Sequence, residues 1–206
     1  NTFVRSQAFS VSFLNAENLP VTLANHPTSD YNNYFIGNDK SRWASRVKNF
    51  TEVVYEGIYK GVNLEILGKS NSIKYNFYVH PGSNPNIIKM QYDGLKNISI
   101  KKGELVLETV FYELTEHKPY AYQIIDGVAV AVPCKFVLKN KTVSFEFPKG
   151  YNQNYELVID PTLVFAASSG STADNFGMTA TYDSLGNLYS GGTVFNVGFP
   201  TTIGVY

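Results

Sequence analysis

The strongest constraint on the fold is a pair of neighbouring segments in which apolar and polar side chains alternate. The alternation runs over residues 62–66, stops at a predicted turn over 68–72 and resumes over 73–79. A period of two residues places one set of side chains on one face of a strand. Two matching segments joined by a turn predict a β-hairpin that covers a hydrophobic core.

Similar signals recur through the first 160 residues. Turn residues fall about every ten positions, no segment has a long helical period, and the 15 Tyr and 14 Phe favour pleated strands. Asp126-Gly127 is the strongest short hairpin signal. These features predict an all-β, antiparallel β-sandwich-like domain. Further strands are predicted over residues 9–13, 52–55, 87–92, 98–100, 105–107, 120–125, 128–132, 136–138 and 143–147.

Three segments between the predicted strands have other patterns. Residues 15–30 are rich in Asn, Pro, Thr and Ser without periodicity, and they predict a loop. Residues 41–47 predict a short helical turn that Asn38 or Asp39 would cap. Residues 57–61 predict a turn because a glycine stands at each end.

The composition changes after Asp160-Pro161. A residue that precedes proline is restricted to extended geometry, and residues 166–173 are small, uncharged and rich in Ser and Ala. We therefore predict an antiparallel β-domain over residues 1–160 and a different unit over 161–206. Because the chain begins at Asn1, within an alternating pattern, we expect the first domain to be incomplete at its N-terminus.

The last part of the chain has the pattern of a single repeat unit. A predicted hairpin turns at residues 183–187, is followed by paired glycines, and stops at a Phe-Pro step. One such unit cannot bury its own faces, because the blades of a propeller are stabilised by stacking on their neighbours. We expect the first blade of an incomplete propeller, in the N-terminal part of a longer protein. Its structural residues would be Asp183, Gly186, Asn187, Gly191, Gly192, Phe199 and Pro200.

Two regions resemble known sequences. Residues 183–193 with 198–202 resemble the first copy of the bacterial seven-bladed β-propeller repeat, with a departure at 190–192, where that repeat usually has Val-Thr-Gly. The upstream part resembles the uncharacterised β-domain that precedes those repeats. The motifs that carry this second resemblance are residues 34–39 with Trp43, 61–64, 75–77 with Pro81-Gly82, and 158–161.

The resemblance implies a cellular context and no catalytic residues. Proteins of this type are large, exported and often multidomain. In Bacteroidota they commonly end in a gliding-motility-associated C-terminal domain that the type IX secretion system reads. The resemblance therefore implies an extracellular or cell-surface location and secretion as type IX cargo.

The composition and the motifs exclude several classes of function. Equal numbers of basic and acidic residues, 17 of each, leave no basic surface for nucleic acid, and no apolar run is long enough for membrane insertion. The spacing of His26, His80 and His117 matches no metal motif. Glu113 and Glu116, beside His117, are interpreted as a solvated strand end. We predict no catalytic residue, no cofactor and no metal site in this region.

The aromatic residues give one candidate binding surface. Tyr31, Tyr34, Trp43 and Tyr59 lie in or near loop-rich sequence with Asn neighbours, which suits a surface that binds protein or carbohydrate. The alternative is that these side chains pack in a tyrosine-rich core.

Together these observations predict a non-catalytic adhesion or scaffold module at the N-terminal end of a large exported bacterial surface protein. The expected partners are the outer-membrane secretion machinery and surface proteins or glycans. One alternative is an accessory region of a secreted polysaccharide-acting enzyme whose active site lies elsewhere, because propellers often host catalysis. Another is a structural spacer.

Overall fold

The computed structural model describes residues 7–69, 72–110, 113–161, 163–164, 174–182 and 188–195. The described chain is all-β, as predicted, and its only helical segments are two short 3₁₀ turns at Lys40–Arg42 and Pro85–Ile87. Its strands are β1 (Ser10–Phe13), β2 (Val21–Tyr34), β3 (Ala44–Tyr59), β4 (Val62–Lys69), β5 (Ser72–Val79), β6 (Met90–Asp93), β7 (Asn97–Lys101), β8 (Glu104–Glu108), β9 (Glu113–Glu116), β10 (Tyr120–Ile125), β11 (Val128–Val132), β12 (Lys135–Lys139), β13 (Thr142–Glu146), β14 (Leu157–Asp160), β15 (Leu163–Val164), β16 (Asp174–Tyr182) and β17 (Leu188–Phe195).

The chain divides into two compact units, of which the larger is Phe9–Phe165. This larger unit contains one seven-stranded sheet, in the order β11-β10-β14-β5-β4-β3-β2. It also contains two four-stranded sheets, in the orders β1-β6-β13-β12 and β15-β9-β8-β7. Every neighbouring pair of strands in these sheets is antiparallel.

The core lies where the faces of these sheets meet. Phe77 of β5 has no solvent exposure, and its ring lies edge-on to Phe13 of β1 and Phe145 of β13 at centroid distances of 6.1 and 5.9 Å. These contacts join the seven-stranded sheet to one of the four-stranded sheets. Aromatic rings in this arrangement add specific packing to the burial of apolar surface.

The two clearest hairpins are confirmed. β4 and β5 pair from Val62 with Val79 to Lys69 with Ser72, and β10 and β11 flank the Asp126-Gly127 turn. Both turn residues have positive φ, 50° and 79°, which is the conformation that a two-residue type I′ turn requires.

Three local predictions are wrong in part. The predicted loop over 15–30 contains the start of β2, because Val21 onwards pairs with β3. The predicted turn over 57–61 is shorter, since β3 continues to Tyr59 through an irregularity at Gly57, where φ is +66°. The predicted strand over 87–92 begins only at Met90, because a 3₁₀ turn precedes it.

The predicted helical turn near residue 41 is present but brief. It covers Lys40–Arg42, and the Asp39 side chain accepts a hydrogen bond from the backbone N–H of Ser41, as an N-cap does. It ends there because β3 begins at Ala44.

The second unit contains the predicted C-terminal hairpin, in which β16 pairs antiparallel with β17. Gly191 and Gly192 lie inside β17, opposite Thr179 and Gly177. The register shifts between Gly177 and Thr179, as at a β-bulge. The other residues assigned to the repeat, Asp183, Gly186, Asn187, Phe199 and Pro200, lie outside the described residues.

Candidate functional site

The most exposed part of the larger unit is a two-stranded arm formed by residues 27–50. β4 pairs with β3 between Glu52 and Tyr59, whereas β2 and β3 remain paired out to Tyr34 and Ala44. Every side chain of the arm is exposed except two that are half-buried. Because a two-stranded ribbon without a covering layer is marginally stable in water, this arm depends on its own local contacts.

A small aromatic cluster at the tip supplies such contacts. The rings of Phe35 and Trp43 meet edge to face at 5.2 Å, and the indole N–H of Trp43 donates a 3.0 Å hydrogen bond to the carbonyl oxygen of Gly37. The ammonium of Lys40 lies over the Trp43 ring, 5.9 Å from its centroid. These contacts hold the tip in one conformation.

The Asp39 carboxylate closes the same turn. Its Oδ1 accepts hydrogen bonds from the Ser41 hydroxyl at 2.7 Å and from the Ser41 backbone N–H at 3.0 Å. These bonds favour the ionised carboxylate and lower the pKa of Asp39. Asp39 is therefore a structural cap at the tip.

The tip leaves a large apolar surface in contact with solvent. Phe35 is 61% exposed and Ile36 is 57% exposed, and Tyr31, Tyr34 and Trp43 are also exposed. Three of the four predicted surface aromatics therefore lie together on the arm.

Tyr59, the fourth predicted surface aromatic, is a core residue, 3% exposed. Its hydroxyl donates to the carbonyl oxygen of Lys89 at 3.1 Å and accepts from the Lys89 backbone N–H at 3.3 Å. The sequence prediction for Tyr59 was wrong because β3 is paired with β4 in the sheet at this residue, so Tyr59 does not lie in a loop. The core alternative holds for Tyr59 alone among the four.

The arm also carries an excess of positive charge. It contains four basic residues and two acidic ones, a net charge of +2 on a chain whose formal net charge is +0. Lys48 lies directly opposite the exposed Tyr31 across the two strands. In the described part of the chain, Arg42, Arg46 and Lys48 join no ion pair. The arm thus combines apolar, aromatic and cationic groups, all open to solvent.

Glu113, Glu116 and His117, which were predicted to form a solvated strand end, lie at β9 but do not share one environment. Glu113 is exposed and pairs with Lys101 at 3.3 Å, and His117 is exposed with Nδ1 2.8 Å from Glu104. Glu116, in contrast, is 1% exposed, so the prediction was wrong for this residue. Alternation along the strand places Glu116 on the inner face with Leu114, two residues earlier.

The Glu116 carboxylate joins three sheets. Tyr92 of β6 donates a hydrogen bond to Oε1 at 2.8 Å, and Tyr75 of β5 donates one to Oε2 at 2.8 Å. Burial raises the pKa of Glu116, and the two hydrogen bonds oppose that change. Burial also raises the pKa of both tyrosines well above the ordinary value, so both remain donors. Because no substrate could reach it, we assign this carboxylate a structural role.

The described residues hold no other cluster with an evident chemistry. No group of three or more His, Cys, Asp or Glu side chains in this part of the chain is placed to hold a metal ion. Burial raises the pKa of the Cys134 thiol to about 12, so this cysteine is not a nucleophile at neutral pH. Neither 3₁₀ turn approaches the length or apolar character of a membrane-spanning helix, and no other helix occurs among the described residues.

Comparison with known proteins adds one finding. The family model of a domain of unknown function, DUF7948, matches residues 1–162. The chain belongs to the DUF7948 family. No curated protein and no solved structure matches the chain.

The residues that the family model matches include the features described above. The arm and the Glu116 cluster lie within the DUF7948 domain, whereas β16 and β17 lie outside the matched residues.

Proposed function

We propose that this chain is a non-catalytic adhesion and scaffold module, the N-terminal part of a large exported bacterial surface protein and a type IX secretion cargo. Export and secretion rest on the sequence resemblance. The adhesive role rests on one observation, the projecting arm with its ordered, solvent-exposed aromatic tip.

The tip has the properties of a docking element. Exposed apolar surface on a soluble protein usually marks a site of interaction, and Phe35 and Ile36 expose more than half of their surface side by side. The hydrogen bond from Trp43 to Gly37 and the Asp39 cap order the backbone before any partner arrives. Such preorganisation lowers the entropic cost of binding.

The chemistry of the arm favours a protein partner over a glycan. A glycan platform needs an open aromatic face and free hydrogen-bond donors. The indole N–H of Trp43 is already bonded within the tip, and the ammonium of Lys40 lies over its ring. Aromatic residues and arginines are enriched in protein interfaces. The net charge of +2 selects an acidic protein surface, since complementary charge guides association.

The partner class is tested by binding the fluorescently labelled 206-residue chain to intact cells of the bacterium that encodes it. We expect binding to weaken strongly after the cells are treated with protease and to survive periodate oxidation of surface glycans. Binding should weaken as the salt concentration rises, because screening reduces the attraction between charges. Binding that resists protease and is abolished by periodate would overturn the proposal of a protein partner.

A further inference from the structure

A second surface of the larger unit is a cleft between two loops, well separated in sequence from the arm. The cleft has a volume of about 370 Å³, which is within the range of small-molecule sites, ~300–1,000 Å³. One wall comes from the loop over residues 82–86, and the other comes from the end of β13 and the loop that follows it, up to residue 153.

The lining combines polar side chains with an aromatic floor. Asn86 and Gln153 place exposed amides at the cleft, one from each loop, and Glu146 adds a carboxylate. Tyr151 reaches across between the loops, since its hydroxyl donates to the carbonyl oxygen of Ser83 at 3.4 Å. No cationic side chain is among the residues that line the cleft.

The aromatic floor is fixed by packing. The ring of Phe147 meets that of Tyr151 edge to face at 5.5 Å, and both residues pack against the core. The ring of Tyr151 is therefore held in place at the cleft.

One buried glutamine organises the second loop. Gln123 is 2% exposed, and its Nε2 donates to the carbonyl oxygens of Asn152 and Tyr155 at 2.7 and 3.1 Å. Its Oε1 accepts from the Asn152 backbone N–H at 2.9 Å. All the strong hydrogen-bonding groups of this buried side chain except one lone pair are thus used to hold a surface loop.

The two loops are also joined directly. The backbone N–H of Gly82 donates to the carbonyl oxygen of Gln153 at 2.9 Å. This bond uses the main chain of Gln153 and leaves its side-chain amide available. The cleft is therefore preformed. Tyr151 both lines it and joins its loops, whereas the side-chain amide of Gln153 lines it without holding the loops together.

We propose that this cleft binds a neutral saccharide. Neutral sugars present an apolar ring face, which suits Tyr151, and an edge of neighbouring hydroxyls, which suits amides that both donate and accept. Lys135 lies 3.1 Å from Oε1 of Glu146, which leaves Oε2 to accept from a sugar hydroxyl. No cationic side chain lines the cleft, and Lys135 beside it is already paired with Glu146, so no free cation is available to bind an acidic sugar or another anion.

The test is a calorimetric titration of the 206-residue chain with neutral hexasaccharides of glucose, mannose, galactose and xylose, beside an acidic uronic-acid hexasaccharide. At least one neutral hexasaccharide should bind, and the acidic one should not. Tyr151→Ala should lower the affinity about tenfold or more, because stacking on the aromatic floor is lost. Gln153→Ala should lower it about fivefold, since one good hydrogen bond is worth about 1 kcal/mol.

Asn154→Ala is the matched control, because Asn154 is a neighbouring exposed amide that does not line the cleft, and it should bind like the wild type. Gln153→Ala keeps the main-chain bond to Gly82, so loss of folding cannot explain a loss of binding in this variant. The proposal is overturned if no neutral hexasaccharide binds, if the acidic one binds more tightly, or if Gln153→Ala and Asn154→Ala have equal affinities.

Discussion

The Tyr92 hydroxyl donates a 2.8 Å hydrogen bond to Oε1 of Glu116, between two side chains that are 2% and 1% exposed. Tyr92 belongs to β6 and Glu116 to β9, so this bond connects two of the sheets. Tyr75 adds a bond from the third sheet to the other carboxylate oxygen. A single buried carboxylate therefore links three sheets through its hydrogen bonds. The free energy of burying this carboxylate depends on its charge.

Replacing Glu116 with glutamine should change the pH dependence of stability. The folded-state pKa of Glu116 is raised above its ordinary value, so the stability it contributes is present below its unfolded pKa. That contribution is lost as the pH rises through the folded-state pKa. Glu116→Gln keeps the shape and can bond both hydroxyls. Its free energy of unfolding should therefore rise relative to the wild type as the pH increases above about 4, the ordinary pKa of a glutamate.

The measurement is urea unfolding of both proteins at intervals of one pH unit. Glu113→Gln is the control, because Glu113 lies exposed on the same strand, and it should show no such trend. A difference between Glu116→Gln and the wild type that stays constant or shrinks with rising pH would contradict the assignment of Glu116 as a buried, ionisable group.

Removing one of its donors should destabilise the domain. Tyr92→Phe leaves Oε1 of Glu116 buried without its partner, and a hydrogen bond to a charged group contributes about 1.5–3 kcal/mol. We expect a loss of about that size in the free energy of unfolding at pH 7. Tyr31→Phe, on the exposed arm, should change it by less than about 0.5 kcal/mol.

A double-mutant cycle identifies the cause. In the Glu116→Gln background, Tyr92→Phe should cost less, because the acceptor is no longer charged. Equal costs in both backgrounds would show that the loss does not depend on the charge of the acceptor, which would contradict the assignment of a charge-assisted hydrogen bond to Glu116.

Two glycines have similar backbone conformations but different surroundings. Replacing each with alanine therefore separates the cost of backbone strain from the cost of a steric clash. Gly57 and Gly61 have φ of +66° and +72°, but a Cβ at Gly57 would meet nothing within 4 Å. A Cβ at Gly61 would lie 2.0 Å from Oγ and 2.9 Å from Cβ of Ser83. Gly57→Ala should therefore cost about 1–2 kcal/mol from backbone strain. Gly61→Ala should cost about 1–3 kcal/mol more, from overpacking.

Thermal or urea unfolding of the two alanine variants gives the comparison. Gly61→Ala combined with Ser83→Gly should recover most of the additional loss, since the conflicting side chain is removed. If Gly57→Ala and Gly61→Ala cost the same, the close approach of the Ser83 loop to Gly61 is not a constraint on the fold.

Features that are set by residues close together in the sequence could be predicted from it, whereas features that are set by residues far apart could not. The β4–β5 hairpin was predicted because alternation and a short turn are local properties. The first part of β2 was missed, since its Asn, Pro and Thr residues form a strand only through pairing with β3. Tertiary pairing overrides such weak propensities.

The same argument explains the outcome at the candidate sites. Trp43, Tyr31 and Tyr34 were found because aromatics in polar sequence are visible locally. Glu116 was missed because its donors are 41 and 24 residues away in the chain. The alternation with Leu114 was the one local signal that it faces inward.

The residues that line the cleft gave no sequence signal. Its amides come from separate loops, and the residue that orders one of those loops, Gln123, lies 29 residues from the nearest group it bonds. The sequence did place the polar residue Gln123 within a predicted strand. Only the structure shows which groups its side chain bonds.

The central proposal, that the arm tip is the adhesive contact, is tested most directly by a double substitution at the tip. Phe35→Ser with Ile36→Ser removes the two most exposed apolar side chains of the tip, and with them the ring contact between Phe35 and Trp43. The groups that form the hydrogen bonds of Trp43 and Asp39 are retained. Val128→Ser is the control, because Val128 is equally apolar, 63% exposed, and lies on the opposite edge strand of the same sheet.

The quantity to measure is the apparent dissociation constant of the labelled chain for intact cells of the organism that encodes it, by flow cytometry. The account predicts that the tip variant binds at least tenfold more weakly, since two exposed apolar anchors are each worth about 1 kcal/mol or more, while Val128→Ser binds like the wild type. Equal dissociation constants for the wild type and the tip variant, with both proteins folded, would contradict it.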